Sequence, residues 1–275
     1  MISSRANPKI KQARTLRRRK ERDASGLFLV EGIHHVAEAI EAGAAVEYVC
    51  YAPGLLTSEF ARELIARESA RGLACVAVSN EVFESIAEKE NPAGLLAVVR
   101  RPPSNLQLLT SNIQSCYVAL VSPQDPGNIG SILRSIDGAG ASGLILLDGG
   151  ADPYHPSAVR ASMGALFWKP ITSAAFGEFV DWTKKQGYRI VGASAQAAVD
   201  YREANYSRPL ILLLGSEQKG LSPEHRAACD QWVRLPMQGR VSSLNLSAAA
   251  GALLYSSLPS STDPSRHTFD STSNP

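Results

Sequence analysis

Three short stretches of this chain place polar side chains and glycines directly after apolar runs, where a ligand can be held and a reacting group aimed. The first, SPQDPGNIGSILRS at residues 122–135, enters a helix whose apolar face is Ile129, Ile132, Leu133 and Ile136. Asn128 falls at or near the N-cap of that helix, where a side-chain oxygen accepts from free backbone N–H groups. Arg134, about two turns in, lies off the apolar face; it suits either a surface position or a guanidinium aimed into a cleft. In the second, LILLLGSEQKGLSPE at residues 210–224, an apolar strand ends abruptly at Gly215, Glu217 and Gly220. Open α/β sheets bind ligands beyond the carboxyl ends of their strands, and an acid between two glycines permits close backbone approach there. An ordinary turn from strand to helix has the same composition. The third, VRLPMQGRVSSLNLSAAAGALLY at residues 233–255, crowds Ser242, Ser243, Asn245 and Ser247 at the entrance to a helix of small residues. Tight packing accounts for the alanines and Gly251, but not for the polar cluster before them.

Other chemistries lack their residues. Cys50, Cys75, Cys116 and Cys229 lie far apart in or beside apolar runs, with no C-x-x-C pair. They read as small hydrophobes rather than disulfide or metal partners, and no metal is expected. His34 and His35 are adjacent rather than spaced as ligands. Gly138, Gly140 and Gly143 match a dinucleotide fingerprint but follow a helix and precede a strand, the reverse of the order that brings a helix N-terminus to a pyrophosphate. GSEQKGLS lacks Walker spacing.

These stretches need a framework, and apolar periodicity supplies one. In the first hundred residues it predicts strands at Leu27–Val30, Val46–Tyr51, Leu73–Val78 and Leu95–Val99, with helices after Gly32 and over Ser58–Arg71. Arg100-Arg101-Pro102-Pro103-Ser104 then breaks the pattern. Beyond it, strands are expected at Tyr117–Val121, Gly143–Leu147, Arg189–Ala193, Leu210–Leu214 and Val233–Leu235. Helices are expected over Asn128–Ala139, Phe176–Gln186 and Leu244–Ser257. The alternation describes an α/β fold: a mostly parallel C-terminal sheet with helices on both faces, behind a smaller N-terminal α/β domain. The divisions are a basic arm at 1–22, an α/β domain at 23–100, a linker at 101–115, a second domain at 116–258 and a disordered tail at 259–275.

The 275 residues are 44% hydrophobic and 20% charged, which is enough apolar material for two cores and excludes a disordered chain. No apolar stretch reaches membrane-spanning length and no apolar segment follows the N-terminal charges, so a soluble, cytoplasmic protein is expected. The net charge of +2 hides an asymmetry: residues 1–22 carry nine basic side chains against one acid, and the rest of the chain carries 19 basic and 25 acidic ones. Such a run is either a solvated face or an arm that neutralises nucleic-acid phosphates.

Taken together, the Asp125-Pro126 to Arg134 block, the Gly215 to Leu221 block and the Leu235-Pro236-Met237 to Ser247 block resemble the signature motifs of the SpoU/TrmH family of SPOUT-class RNA methyltransferases, in that family's order. VRASMGALF at 159–167 fits it too, and NPKIKQARTLRRRK, FLVEG and EAIEAG resemble its N-terminal substrate-binding domain. The resemblance implies transfer of a methyl group from S-adenosylmethionine to a ribose 2′-hydroxyl of RNA, with ribosomal RNA favoured over transfer RNA. It also implies a deep trefoil knot and a homodimer formed through the catalytic domain. Carried over by motif, Arg134, Asn128, Glu217, Ser243 and Asn245 would serve catalysis. Gly215, Leu235, Met237, Leu244, Ser194 and Gly220 would hold the cofactor. Lys9, Lys11, Arg14, Arg17, Arg18, Arg19 and Arg160 would meet RNA. A non-catalytic RNA-binding protein on the same fold and an enzyme with a different small substrate are the competing readings.

Overall fold

The structure, a computed structural model, describes residues 1–109 and 112–258; the tail expected at 259–275 lies outside them. The N-terminal domain runs α1 (Pro8–Thr15), α2 (Arg19–Ser25), β1 (Leu27–Glu31), α3 (Ile33–Glu41), β2 (Val46–Tyr51), α4 (Glu59–Ala70), β3 (Cys75–Ala77), α5 (Asn80–Ile86) and β4 (Leu95–Arg100). Its four strands lie in the order β1-β4-β2-β3, with β4 antiparallel to both neighbours and β3 parallel to β2. α3 and α4 cover one face through Val36, Ala37, Ala61 and Leu64, while Ile10, Ala13, Val82, Phe83 and Ile86 cover the other. Covered on both sides, Leu95–Val99 is buried throughout, which is why it reads as an unbroken apolar run.

Residues 1–22 are not a separate arm. Asn7 caps α1 by accepting from the Lys9 amide, Pro8 starts the helix, and Ile10, Ala13 and Leu16 are wholly buried against the sheet. Ile2 bridges to Val78 beside β3. Nine charges concealed three core side chains. The linker is likewise part of a domain: Leu106 and Leu109 are buried with Tyr117, Val121 and Trp182, and Ser104 Oγ accepts from the Ser173 amide at 3.2 Å.

The second domain contains β5 (Cys116–Val121), α6 (Pro126–Gly138), β6 (Gly143–Leu147), α7 (Pro156–Ala161), β7 (Ile171–Ala174), α8 (Phe176–Gln186), β8 (Arg189–Ala193), β9 (Val199–Asp200), β10 (Leu210–Leu214), α9 (Pro223–Ala227), β11 (Gln231–Arg234) and α10 (Leu246–Ser256). Its seven strands are all parallel, in the order β7-β6-β5-β10-β8-β11-β9. α6 and α10 pack on one face, α8 on the other. The chain winds outward from β5 through β6 to β7, crosses to the other side of β5 as β8 and β9, and then inserts β10 between β5 and β8. The carboxyl ends of β5 and β10 are therefore the switch point at which such sheets open a crevice. From β11, two strands beyond β10, the chain returns to lay α10 against α6 and β10. Among the described residues no helix is long and apolar enough to cross a membrane.

Candidate active site

The backbone is strained where β5 and β6 end. Ser122 and Asp148 adopt φ of 44° and 55°, and Ser122 Oγ donates to the Asp148 carbonyl at 3.1 Å. Non-glycine residues rarely occupy this region unless their surroundings hold them there. Three residues after Ser122, Asp125 caps α6, accepting from the Gly127 and Asn128 amides, with Pro126 at the first helical position. This corrects the expectation for Asn128, which stands in the first turn rather than at the cap. The Asp-Pro pair before an apolar period was the signal for the true cap.

Relieved of capping, the Asn128 side chain joins all three polar stretches. Its Nδ2 donates to Glu217 Oε1 at 2.9 Å, and its Oδ1 accepts from Asn245 Nδ2 at 3.0 Å. Glu217 Oε2 accepts from the Gln124 amide at 3.0 Å, and Asn245 Oδ1 caps α10 through Ser247 N at 2.8 Å. A carboxylate only accepts, so Asn128 must turn its amide nitrogen to Glu217 and offer its oxygen to Asn245. Asn245 must then turn its oxygen to Ser247. One acid fixes two amides.

Beside this chain of hydrogen bonds opens a cleft of about 620 Å³, within the range of small-molecule sites. Ser194, Gly215, Gly220, Leu235, Met237 and Leu244 line it, and so do Glu217, Ser243 and Asn245. The loop after β10 doubles back on itself, with Gly220 at φ 62° and its amide donating to Ser216 O at 2.9 Å. A Cβ on Gly215 would stand 2.0 Å from Gly220 C, so only glycine permits that fold. Arg226 and Gln196, which the sequence reading passed over, also line the cleft; the Arg226 guanidinium lies 4.9 Å over the Trp232 ring. Behind it, burial pushes the Cys229 thiol up to about 12, so it stays protonated at neutral pH.

Arg134 does not reach this cleft within one chain. Six residues after Asn128, about 9 Å along α6, it is exposed and makes no hydrogen bond or ion pair among the described residues. Its helix lies against α10, with the Tyr255 hydroxyl 3.0 Å from where a Cβ on Gly138 would stand and Tyr255 itself 57% exposed.

The basic side chains divide. Lys11, Arg17, Arg18 and Arg19 are exposed; Lys9 sits over the Tyr48 ring at 4.8 Å, and Arg14 donates to Ser85 Oγ at 3.1 Å. Arg160 is paired with the Glu88 carboxylate across the domain boundary, so its charge is already met by a protein acid. Arg22 is buried and unavailable to a ligand. Arg19 Nη1 donates to Gly150 O at 2.6 Å, and Ala151 N in the same loop donates to Pro123 O at 2.7 Å, beside Gln124. The basic helix pair therefore docks one loop away from Glu217.

The model of the SpoU rRNA Methylase family matches residues 115–255, half of the chain. The chain belongs to this family. An MRM3-like substrate binding domain matches residues 7–97, starting within the stretch first read as an arm. Among relatives, a 23S rRNA (uridine(2479)-2′-O)-methyltransferase of Streptomyces viridochromogenes is 35% identical over 86% of this chain and 84% of its own. The 23S rRNA (guanosine(2553)-2′-O)-methyltransferase RlmP of Bacillus subtilis is 28% identical over 92% and 97%. An AdoMet-bound rRNA methyltransferase from Sinorhizobium meliloti superimposes with a TM-score of 0.85 at 34% identity, covering 93% of this chain and 96% of that one. In this SpoU methylase the two polar stretches that line the cleft, and the first stretch tied to them through Gln124 and Asn128, all fall within the matched catalytic domain.

Proposed function

We propose that this SpoU methylase transfers a methyl group from S-adenosylmethionine to a ribose 2′-hydroxyl of ribosomal RNA, in the large subunit and in the cytoplasm. The observation that carries the reading is the chain of hydrogen bonds Gln124–Glu217–Asn128–Asn245–Ser247, which stitches three loops along one wall of the cleft. Both relatives described above are named for ribose methylation of 23S rRNA, which favours ribosomal over transfer RNA.

The residues fit the cofactor. Leu235, Leu244 and Met237 offer apolar walls, Gly215 and Gly220 offer bare backbone, and Ser194 and Ser243 offer hydroxyls. When bound, S-adenosylmethionine supplies a methyl already activated on a sulfonium. The chain has then to align the ribose hydroxyl, take charge off its oxygen and exclude water. Asn128 and Asn245, locked by Glu217, orient the ribose, and Ser243 adds a hydrogen bond. Arg134 stabilises the developing alkoxide while the hydroxyl proton leaves to an RNA phosphate or to water; a guanidinium stays protonated and is itself a poor base. For Arg134 to do so, a second copy must pack on the α6–α10 face, and we assign the homodimer to that face. The small residues of α10 and the exposed Tyr255 suit such close packing. The return of the chain from β11 to α10 is the segment to which we assign the family's knot.

Calorimetric titration with S-adenosylmethionine tests the cleft. The wild-type protein should bind and Leu235→Glu, which puts a charge into the apolar wall, should not. Folded wild-type protein that binds none would overturn the reading in favour of a non-catalytic RNA-binding role.

A further inference from the structure

We infer that the buried ion pair between Arg22 and Asp152 is a latch that sets the RNA-binding domain against the catalytic loops. Arg22 is then a positioning residue for methyl transfer, an inference that rests on the function proposed above.

Arg22 is 2% exposed, yet it lies in the most basic stretch of the chain. Its Nε donates to Asp152 Oδ2 at 2.7 Å, and its Nη1 donates to Leu16 O at 2.8 Å and Arg17 O at 2.9 Å. The guanidinium thereby gathers the turn that follows α1, the helix α2 and a loop of the other domain around one point. Asp152 is held in turn: its Oδ1 accepts from Tyr154 N at 2.9 Å. The Tyr154 ring touches both the Phe28 ring, 4.8 Å away, and the Arg101 guanidinium, 4.7 Å away. Apolar side chains could fill a buried boundary without the desolvation cost of two charges. What a charge pair adds is a fixed geometry.

That geometry leads to the cleft through direct contacts. Ala151, next to Asp152, donates its amide to Pro123 O at 2.7 Å. Gly150 lies so close that a Cβ would stand 2.5 Å from Pro123 O, so the two loops are in backbone contact. Pro123 adjoins Gln124, whose amide is held by Glu217, the acid that orients Asn128 and through it Asn245. α2 grips the same loop a second time through Arg19 and Gly150 O. A displacement of the RNA-binding domain would reach the asparagines by this route.

The test uses full-length Arg22→Gln, Asp152→Asn and the double variant. Asp152→Asn is nearly isosteric and keeps the acceptor for Tyr154, so it remains informative if Arg22→Gln does not fold. The latch predicts an S-adenosylmethionine affinity within about twofold of wild type but a kcat on RNA lower by about 10- to 100-fold, the scale of a small misplacement of reacting groups. The double variant should be no worse than the worse single one, as expected for two partners in one interaction. Hydrogen exchange of peptides spanning residues 119–126 and 148–154 should quicken in each variant. Wild-type kcat in the folded variants, or effects that multiply in the double variant, would overturn the latch. Unchanged exchange over 119–126 would overturn the route to Glu217. The exchange measurement needs no RNA, so a wild-type protein that methylates nothing would refute the proposed function while leaving the latch to be judged by exchange.

Discussion

Glu217 accepts from Asn128 and from the Gln124 amide, so its two oxygens set the direction of every amide in the chain that follows. Glu217→Gln keeps the shape but replaces one acceptor with a donor, so either Asn128 must flip or the Gln124 amide loses its acceptor. The expected outcome is a kcat lower by about tenfold, the worth of one hydrogen bond to a charged group. Cofactor affinity should fall less than kcat, because the apolar walls at Leu235 and Leu244 remain although Glu217 itself lines the cleft; kinetics beside calorimetry would separate the two. At this scale the sequence was informative where polarity was surplus to packing. Ser243 and Asn245 stand out because core packing does not need them, whereas Gly215 and Glu217 stand out only by their place past an apolar strand, a composition an ordinary turn shares. Asn128 was singled out with the wrong local role, since Asp125 is the better cap and takes the free amides. Arg226, Gln196 and Asp152 carried no local signal, because Arg226 meets Gln196, and Arg22 meets Asp152, only in the fold.

At the scale of elements, strands with strong apolar runs were legible to within a residue, as at Leu210–Leu214 and Gly143–Leu147. Short elements were not. α7, α9, β7 and β9 span two to six residues, too few for a period to register against their neighbours. α1 was obscured for a different reason: its buried positions Ile10 and Ala13, with Leu16 beyond, alternate with lysines and arginines that keep the helix face polar. Removing residues 1–22 would therefore strip core side chains and the latch, and would not isolate phosphate contacts. The informative variant is Lys11→Gln, Arg17→Gln and Arg18→Gln together, all exposed side chains, leaving the Arg19 contact to Gly150 in place. It should weaken RNA binding and make the slope of log affinity against log salt shallower by about 0.7 to 0.9 per lost phosphate contact. A wild-type slope would show that RNA takes another path.

Considered as a whole, the molecule places a crevice at the switch point of a seven-stranded parallel sheet and docks a second domain one loop away from it. Alternating apolar runs and helical periods fix the layers, but strand order is a matter of long-range pairing, and a knot leaves no trace in periodicity. Arg134, exposed and unpaired among the described residues, finds its proposed role only at this scale, where the homodimer we propose on the α6–α10 face would complete what one chain leaves open. The most direct test of the account is transfer of labelled methyl from S-adenosylmethionine to 23S rRNA by the purified protein, followed by alkaline hydrolysis, because a 2′-O-methylated ribose protects its phosphodiester. The account predicts label in alkali-resistant dinucleotides with wild-type protein and none with Arg134→Ala, although that variant still binds cofactor. Label released as single nucleotides, or transfer undiminished in Arg134→Ala, would contradict it.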